Sequence, residues 1–266
     1  MPEGDTVWRT ARNLSAALAG AALVRTDFRL PALATLDLSG RQVLEVVSRG
    51  KHLLVRVDPD VSLHSHLRMD GSWHLYREGS RWSGGPGHEI RVVLATASWA
   101  AVGYRLHDVA LVATSHEAEL VGHLGPDLLG PDWDPAEAER RLRQDPLRPV
   151  GEALLDQRAL AGIGNVYKAE TLFLSGVSPW QPVGEVASLD RVVERAHRLL
   201  SANRERTTQT TTGDTRRGRQ HWVYDRAGRP CLRCGTMIRS AEQGDPLYER
   251  VAYWCPSCQP GPGPDA

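Results

Sequence analysis

Residues 151–170 read Gly151-Glu152-Ala153-Leu154-Leu155-Asp156-Gln157-Arg158-Ala159-Leu160-Ala161-Gly162-Ile163-Gly164-Asn165-Val166-Tyr167-Lys168-Ala169-Glu170. The stretch predicts a helix, two turns and a second helix. Gly162 and Gly164 permit positive φ and close backbone approach in the turns. Asn165 stands where a helix N-cap is wanted. Free N–H groups at such a helix start, at the positive end of its dipole, make a phosphate site. A glycine turn capped by Asn for purely structural reasons fits the same residues.

C-terminal to this turn the chain stays helical. Leu189, Val192, Val193, Ala196, Leu199 and Leu200 form one amphipathic face. The polar stretch 203–220, with Thr207, Thr208 and Thr210–Thr212 close together, reads as a mobile loop. Beyond it, Cys231-x2-Cys234 and Cys255-x2-Cys258 are separated by 20 residues. Two such knuckles have the spacing of a four-thiolate zinc site, with the intervening segment returning as a β-hairpin. Soft thiolates in tetrahedral array favour zinc over hard cations. Four protein ligands leave no open position, so one structural Zn2+ is expected; an iron site or disulfides are the alternatives. In an extended strand Arg250 points away from the Cys255 side and could reach a phosphate, or serve as an ordinary surface arginine. The tail 260–266 has the composition of a disordered end.

N-terminal to the turn the texture differs. Val7, Ala11, Leu14 and Leu18 recur at helical spacing, and Gly20 is a plausible stop. Short β-type runs follow at 43–47, 53–57, 61–67, 72–76, 90–95 and 109–113, punctuated by Gly, Pro and Asp, which predicts a sandwich or barrel. A Gly, Pro and Asp cluster near 125–135 marks a boundary. The expected domains are 1–125, a β-sandwich domain; 126–220, a helical domain; 221–259, a zinc finger; and 260–266, the disordered tail. The fold class is α+β.

Pro2 follows Met1 directly, and removal of Met1 would expose a proline secondary amine. An α-amine titrates near pH 7.7–8.0, so part of it is unprotonated at neutral pH. Such an amine can attack a sugar C1′ and form an iminium. Glu3 beside it could move protons on the sugar. Ordinary helix-start chemistry, with Pro and acidic residues in the first turn, is the competing reading.

The formal net charge is zero, with 32 basic and 32 acidic residues, which argues against a polycation that coats nucleic acid. The average conceals a distribution. Residues 117–145 hold eight acids and three bases, and residues 203–239 hold nine arginines against three acids. A basic C-terminal stretch is a local footprint for a polyanion. Only Lys51 and Lys168 are lysines. No run of about 18 apolar residues and no secretory signal is seen, so no membrane association and a cytoplasmic location are expected.

Met1-Pro2-Glu3-Gly4, Arg49-Gly50-Lys51, the 154–170 turn and the four-cysteine finger occur in order. Together they resemble the formamidopyrimidine-DNA glycosylase/endonuclease VIII family over residues 2 to about 259. The resemblance implies an N-terminal β-sandwich flanked by helices, a helix–two-turn–helix lobe and a zinc finger. It implies damaged DNA as partner, with association to the nucleoid through that DNA, and a bifunctional enzyme of base excision repair that excises a base and then cleaves the strand by β,δ-elimination. Pro2 would be the nucleophile and Glu3 its acid/base partner. Lys51, Asn165 and Arg250 would hold phosphates around an extruded nucleotide, and Glu170 would support the N-terminus. Lys51 is also a second-choice Schiff-base amine.

An enzyme acting at C1′ inside a duplex must extrude the nucleotide and fill the gap with an apolar wedge. Leu67-Arg68-Met69-Asp70-Gly71 matches the family's wedge loop, with Met69 as candidate wedge and Arg68 beside it. A Met packed in the sandwich is the alternative. The Asp-Pro-Arg-Arg-Phe-Gly motif of the 8-oxoguanine branch is missing at 104–111, so the endonuclease VIII branch and a preference for oxidised pyrimidines are expected. The Thr-rich segment 207–215 lies where family members close over the damaged base. A damage- or junction-binding protein without catalysis, and a zinc-ribbon regulatory module, are the competing classes. A monomer is expected.

Overall fold

The computed structural model describes residues 2–246 and 249–264. Met1, Leu247, Tyr248, Asp265 and Ala266 lie outside the described residues, and with them the question of Met1 removal. The chain divides into two compact units, Met1–His123 and Leu124–Ala266. The boundary falls at the start of the Gly/Pro/Asp cluster.

The first unit begins with helix α1 (Gly4–Leu18). Val7, Ala11, Leu14 and Leu18 are all buried along one face, as their spacing predicts. Glu3 occupies the N-cap and Asp5 the first turn, where an acid complements the dipole. The helix ends at Ala19, and the chain turns at Gly20 with φ +80°.

Eight antiparallel strands follow: β1 (Arg25–Phe28), β2 (Val43–Arg49), β3 (His52–Val57), β4 (Val61–His66), β5 (Ser72–Arg77), β6 (Ile90–Ala95), β7 (Trp99–Tyr104) and β8 (Asp108–Val112). They form two four-stranded sheets, ordered β1-β6-β7-β5 and β2-β3-β4-β8. Phe28, Val92, Leu94 and Ala101 of the first sheet share one core with Val43, Val46, Leu53, Val55 and Leu63 of the second and with the buried face of α1. A sandwich roofed by a helix results. The six runs read from the sequence all became strands. β1 and β7 were not among them, because β1 is a mostly polar strand and the middle of β7 holds Ala and Gly, which strands disfavour.

The Gly/Ser-rich loop between β5 and β6 covers the other face of the first sheet. Gly84 N donates to the Tyr76 hydroxyl at 2.7 Å. A Cβ at Gly84 would lie 2.8 Å from both Tyr76 Oη and Tyr104 Cε2, so only glycine permits this approach. The short helix α2 (Ala118–Val121) ends the unit.

The second unit is helical, with α3 (Pro135–Leu142), α4 (Val150–Ala153), α5 (Asn165–Ser175) and α6 (Leu189–Asn203). Asp134 caps α3 by accepting from the Ala136 and Glu137 amides, each at 3.0 Å. Leu142, Val150, Leu154, Ile163, Tyr167, Leu172 and the apolar face of α6 make the core. The first helix of the two-turn motif is a single turn, since the chain leaves α4 before Leu154. A hairpin of β9 (Arg239–Gln243) and β10 (Arg250–Trp254) completes the unit. It returns between the two cysteine knuckles, as their spacing predicts.

The finger is not a separate body: Cys231, Ile238, Cys255 and Val223 pack with Ala169 and Phe173 of α5 in one apolar cluster. The described part of the tail is tied down too, for Ser178 Oγ donates to the Pro262 carbonyl at 2.6 Å. This departs from the expected disorder, because a tail of Pro and Gly loses little side-chain entropy on docking. Among the described residues no helix is long and apolar enough to cross a membrane.

Leu18 is fully buried between α1 and the sandwich. Leu18→Ala should cost about 2–5 kcal/mol through lost transfer energy and a residual cavity. The check is urea unfolding: a lower midpoint at unchanged slope is expected, and an unchanged midpoint would remove Leu18 from the core.

Candidate functional site

The first unit carries Pro2, Glu3, Lys51, Arg68 and Met69. Pro2 is half-buried and Glu3 fully buried at the head of α1. The Glu3 carbonyl accepts from the Thr6 and Val7 amides at 3.0 and 3.1 Å, so the backbone that carries its carboxyl is fixed by the first helical turn. Asp5, also fully buried, accepts from the Thr6 amide at 2.8 Å.

Lys51 sits in the β2–β3 turn, after Gly50 with φ +57°. His52 pairs with His66 across β3 and β4, so this turn and the loop after β4 leave the second sheet at the same end. Lys51, Arg68 and Met69 are thereby brought to one edge. Met69 is 64% exposed, which removes the alternative of a methionine packed in the sandwich. Its loop is braced. Gly71 N donates to the Leu67 carbonyl at 2.8 Å, Arg68 N to His66 Nδ1 at 2.9 Å, and Arg105 Nε to the Asp70 carbonyl at 3.0 Å. Arg68 itself has φ +51° and pairs with Asp108.

Three histidines at this edge were not singled out in the sequence. His52 Nδ1 lies 2.8 Å from His64 Nε2, and the His52 ring stands 5.0 Å from those of His64 and His66. The clue was the alternation His64-Ser65-His66, which puts both rings on one face of a strand. Burial, then the charges of His66, His64, His123 and Arg68, push His52 down to about 3. Burial first, then Arg68, pushes His66 down to about 4, against the opposing pull of Asp108. Burial also lowers His64.

The second unit carries Asn165, Glu170, Arg250 and the cysteines. Gln157 holds the turn, donating to the Leu155 and Ile163 carbonyls and accepting from the Gly162 amide, each at 3.0 Å. Gly162 has φ +100°; Gly164, at φ −132°, is extended. Gly164 is the N-cap of α5, and Asn165 is its first helical residue. That corrects the expected cap. The Asn165 side chain is used elsewhere: Nδ2 donates to the Val251 carbonyl at 2.9 Å, while Oδ1 is buried without a hydrogen-bond partner. The bond joins the start of α5 to the start of β10 and so sets Asn165 next to exposed Arg250. Ala252 and Trp254, which share the strand face of Arg250, are buried.

Glu170, fully buried in α5, accepts from the Trp222, Val223 and Tyr224 amides at 2.8, 2.9 and 2.9 Å and from the Thr211 hydroxyl. Within this unit the carboxylate therefore anchors the Thr-rich segment. That segment is not the free loop its polarity suggested. Asn203 brackets Thr210 through Nδ2 to its carbonyl and Oδ1 from its amide, at 3.0 and 2.8 Å. Thr210 Oγ1 donates to the Asp214 carbonyl at 3.0 Å, and Trp222 stacks on Phe173 at 5.5 Å. The threonines spend their hydroxyls on backbone carbonyls within the loop, a use that composition does not reveal.

The four cysteine sulfurs lie within 4.8 Å of one another, and Cys234 and Cys255 are 3.4 Å apart. All four are free thiols. A disulfide needs about 2.05 Å, whereas zinc–sulfur bonds of about 2.3 Å in a tetrahedron put sulfurs about 3.8 Å apart. Hydrogen bonds from Thr236 lower Cys234 to about 6, whereas burial raises Cys258 to about 12. The donor set fits one four-coordinate metal ion.

Residues 1–124 match the family model for the formamidopyrimidine-DNA glycosylase N-terminal domain, and residues 124–213 that for the H2TH domain of the same glycosylases. The chain is 60% identical to the probable endonuclease 8 2 of Streptomyces coelicolor, covering 99% of this chain and 96% of that one. It is 51% identical to the DNA-(apurinic or apyrimidinic site) lyase Nei2 of Mycolicibacterium smegmatis, over 97% and 99%. Identity to the endonuclease 8 of Escherichia coli is 33%, over 97% and 100%. Among solved structures, the formamidopyrimidine-DNA glycosylase of Lactococcus lactis bound to abasic-site DNA has the same fold, with a TM-score of 0.80 at 21% identity, covering 97% of this chain and 100% of that one.

Both His52 and His66 are neutral in the folded protein at neutral pH, whereas unfolded they take up protons near pH 6.5. The unfolded chain therefore binds more protons between pH 6.5 and about 4, and stability falls as pH drops through that window. His52→Asn should flatten the decline of Tm on acidification. A variant whose Tm falls as steeply as the parent's would show that His52 is not the group responsible.

Proposed function

Because the chain belongs to the formamidopyrimidine-DNA glycosylase/endonuclease VIII family, on its endonuclease VIII side, we propose that it excises oxidised bases, pyrimidines by preference, and cuts the strand by β,δ-elimination. The coarse activity comes with the family: a DNA-binding DNA glycosylase and AP lyase of DNA repair. The observation that carries the finer reading is the head of α1. A fully buried carboxyl at Glu3 directly follows half-buried Pro2, whose secondary amine is exposed once Met1 is removed.

In this reading the Pro2 nitrogen forms a bond to C1′ as the C1′–base bond breaks and the base leaves with its electron pair. The Pro2 N–H proton passes to the departing base, and Glu3 supplies a proton to the sugar ring oxygen as the C1′–O4′ bond breaks, leaving an iminium between Pro2 and C1′. The iminium acidifies C2′–H. Loss of that proton expels the 3′ phosphate, and a second elimination expels the 5′ phosphate. Lys51, Asn165 and Arg250 hold backbone phosphates and carry no base information. Exposed Met69, on its braced loop with Arg68 beside it, fills the gap left by the extruded nucleotide. Glu170 supports the active site by holding the Thr-rich segment. Cys231, Cys234, Cys255 and Cys258 would hold one structural Zn2+, which would fix the β10 hairpin that carries Arg250. The protein acts as a monomer.

Borohydride should trap a covalent adduct with a duplex carrying thymine glycol or an abasic site. Pro2→Gly should lose most of the adduct. Glu3→Gln should slow base removal by about 100-fold or more while reacting better at a preformed abasic site. No adduct from Met1-free protein that still binds the duplex would leave a binding protein instead of an enzyme, and equal base removal by Glu3→Gln would strip Glu3 of its role.

Metal analysis should find one zinc per chain. Its removal by a chelator should weaken duplex binding, and normal binding by the metal-free protein would refute the role given to the finger.

A further inference from the structure

The segment that Glu170 anchors also lines an open pocket of about 730 Å3, and none of the side chains lining it has a part in the chemistry above. Arg217, Arg226, Arg229 and His221 line it, against one carboxylate, Asp225. Arg226 is only 6% exposed. Its Nη1 donates to the Gly218 carbonyl and its Nη2 to the Pro230 carbonyl, the latter at 3.0 Å. Its Nε is buried with no hydrogen-bond partner, and so is His221 Nε2.

Arg229 converges on the same glycine. Gly218 has φ +77°, and a Cβ there would stand 3.0 Å from Arg229 Nη1. Two guanidinium groups thus meet at one residue, and among the described residues neither they nor Arg217 form an ion pair. Burial, then the charge of Arg229, pushes Arg226 below the usual guanidinium range, against the opposing pull of Glu170. A buried guanidinium without a salt bridge, and with one nitrogen unsatisfied, is costly, and an arriving anion lowers that cost. Guanidinium groups match tetrahedral oxyanions through directed, charge-assisted hydrogen bonds.

We propose that this cavity is a subsite for a phosphate-class oxyanion, with Arg226, Arg229 and Arg217 supplying the positive charge. The repair reading matters only to the source of the ligand: either a phosphodiester of bound DNA, beyond those given to Lys51, Asn165 and Arg250, or free phosphate. Asp225 is the one carboxylate in the lining, against three guanidinium groups.

The test uses the full zinc-loaded chain. Arg217→Ala/Arg229→Ala changes two exposed side chains, and Arg229→Glu, a single exposed change, reverses one charge. Inorganic phosphate is titrated by calorimetry, and binding to an abasic-analogue duplex is followed against salt. The parent should take up phosphate, and both variants should bind it at least tenfold more weakly. For a DNA phosphodiester, the slope of log K against log salt should also fall by about one unit in the double variant. A changed slope without phosphate uptake identifies the DNA backbone as the ligand; lost uptake with an unchanged slope identifies free phosphate. Neither change, in either variant, overturns the subsite. Failure of the repair reading would be seen separately as absence of a borohydride adduct, and leaves the phosphate titration valid.

Discussion

The second unit is organised around one buried negative charge. Burying a carboxylate is affordable only when its oxygens are satisfied, and Glu170 meets that condition with three successive amides and a hydroxyl. The satisfied charge fixes α5 to the segment 211–224, and the same segment runs on into the first cysteine knuckle. Phe173, one turn along α5, takes Trp222 on its face and the Arg233 guanidinium at 4.4 Å. The helix of the two-turn motif, the Thr-rich segment and the finger are therefore a single packed object. Asn165, at the head of the same helix, fixes β10 through Val251, so both ends of the finger hairpin answer to α5.

Much of this was legible because it rests on period and spacing. The apolar stripe of α1, the alternating strands of the sandwich and the paired cysteines each follow from a local rule that tertiary context did not override. The losses have physical causes. The Thr-rich segment looked mobile because polarity was read as solvation, yet its hydroxyls satisfy its own carbonyls and Glu170. Asn165 is a good capping residue, but the competing acceptor at Val251 lies 86 residues away in sequence, beyond any local rule. The histidine edge needed the register of β3 against β4, which no single strand specifies. Glu170 could be placed by its motif, but the identity of its donors could not.

The two lysines sharpen the compositional oddity. Arginine fills the solvent-facing basic positions, while Lys168 is 1% exposed inside α5 and Lys51 is half-buried in a turn. In a chain that otherwise uses arginine, lysine survives only where space is restricted, in keeping with the smaller width of an ammonium group. The zero net charge likewise reflects a division of labour. Acids of α3 pair with their own helix neighbours, as Glu137 does with Arg140 and Arg141, whereas Arg217, Arg226 and Arg229 form no salt bridge among the described residues.

The hairpin between the two knuckles has a consequence for the order in which the molecule is assembled. A chain emerges N-terminus first, and its domains fold as they become available. Cys231 and Cys234 are in place long before Cys255 and Cys258, which follow only after both hairpin strands. A four-sulfur cage cannot close until all four have emerged, so any metal the knuckles take up follows synthesis of α5, α6 and the hairpin. An ion bound there would tie together two knuckles that the β9–β10 hairpin has already brought into register.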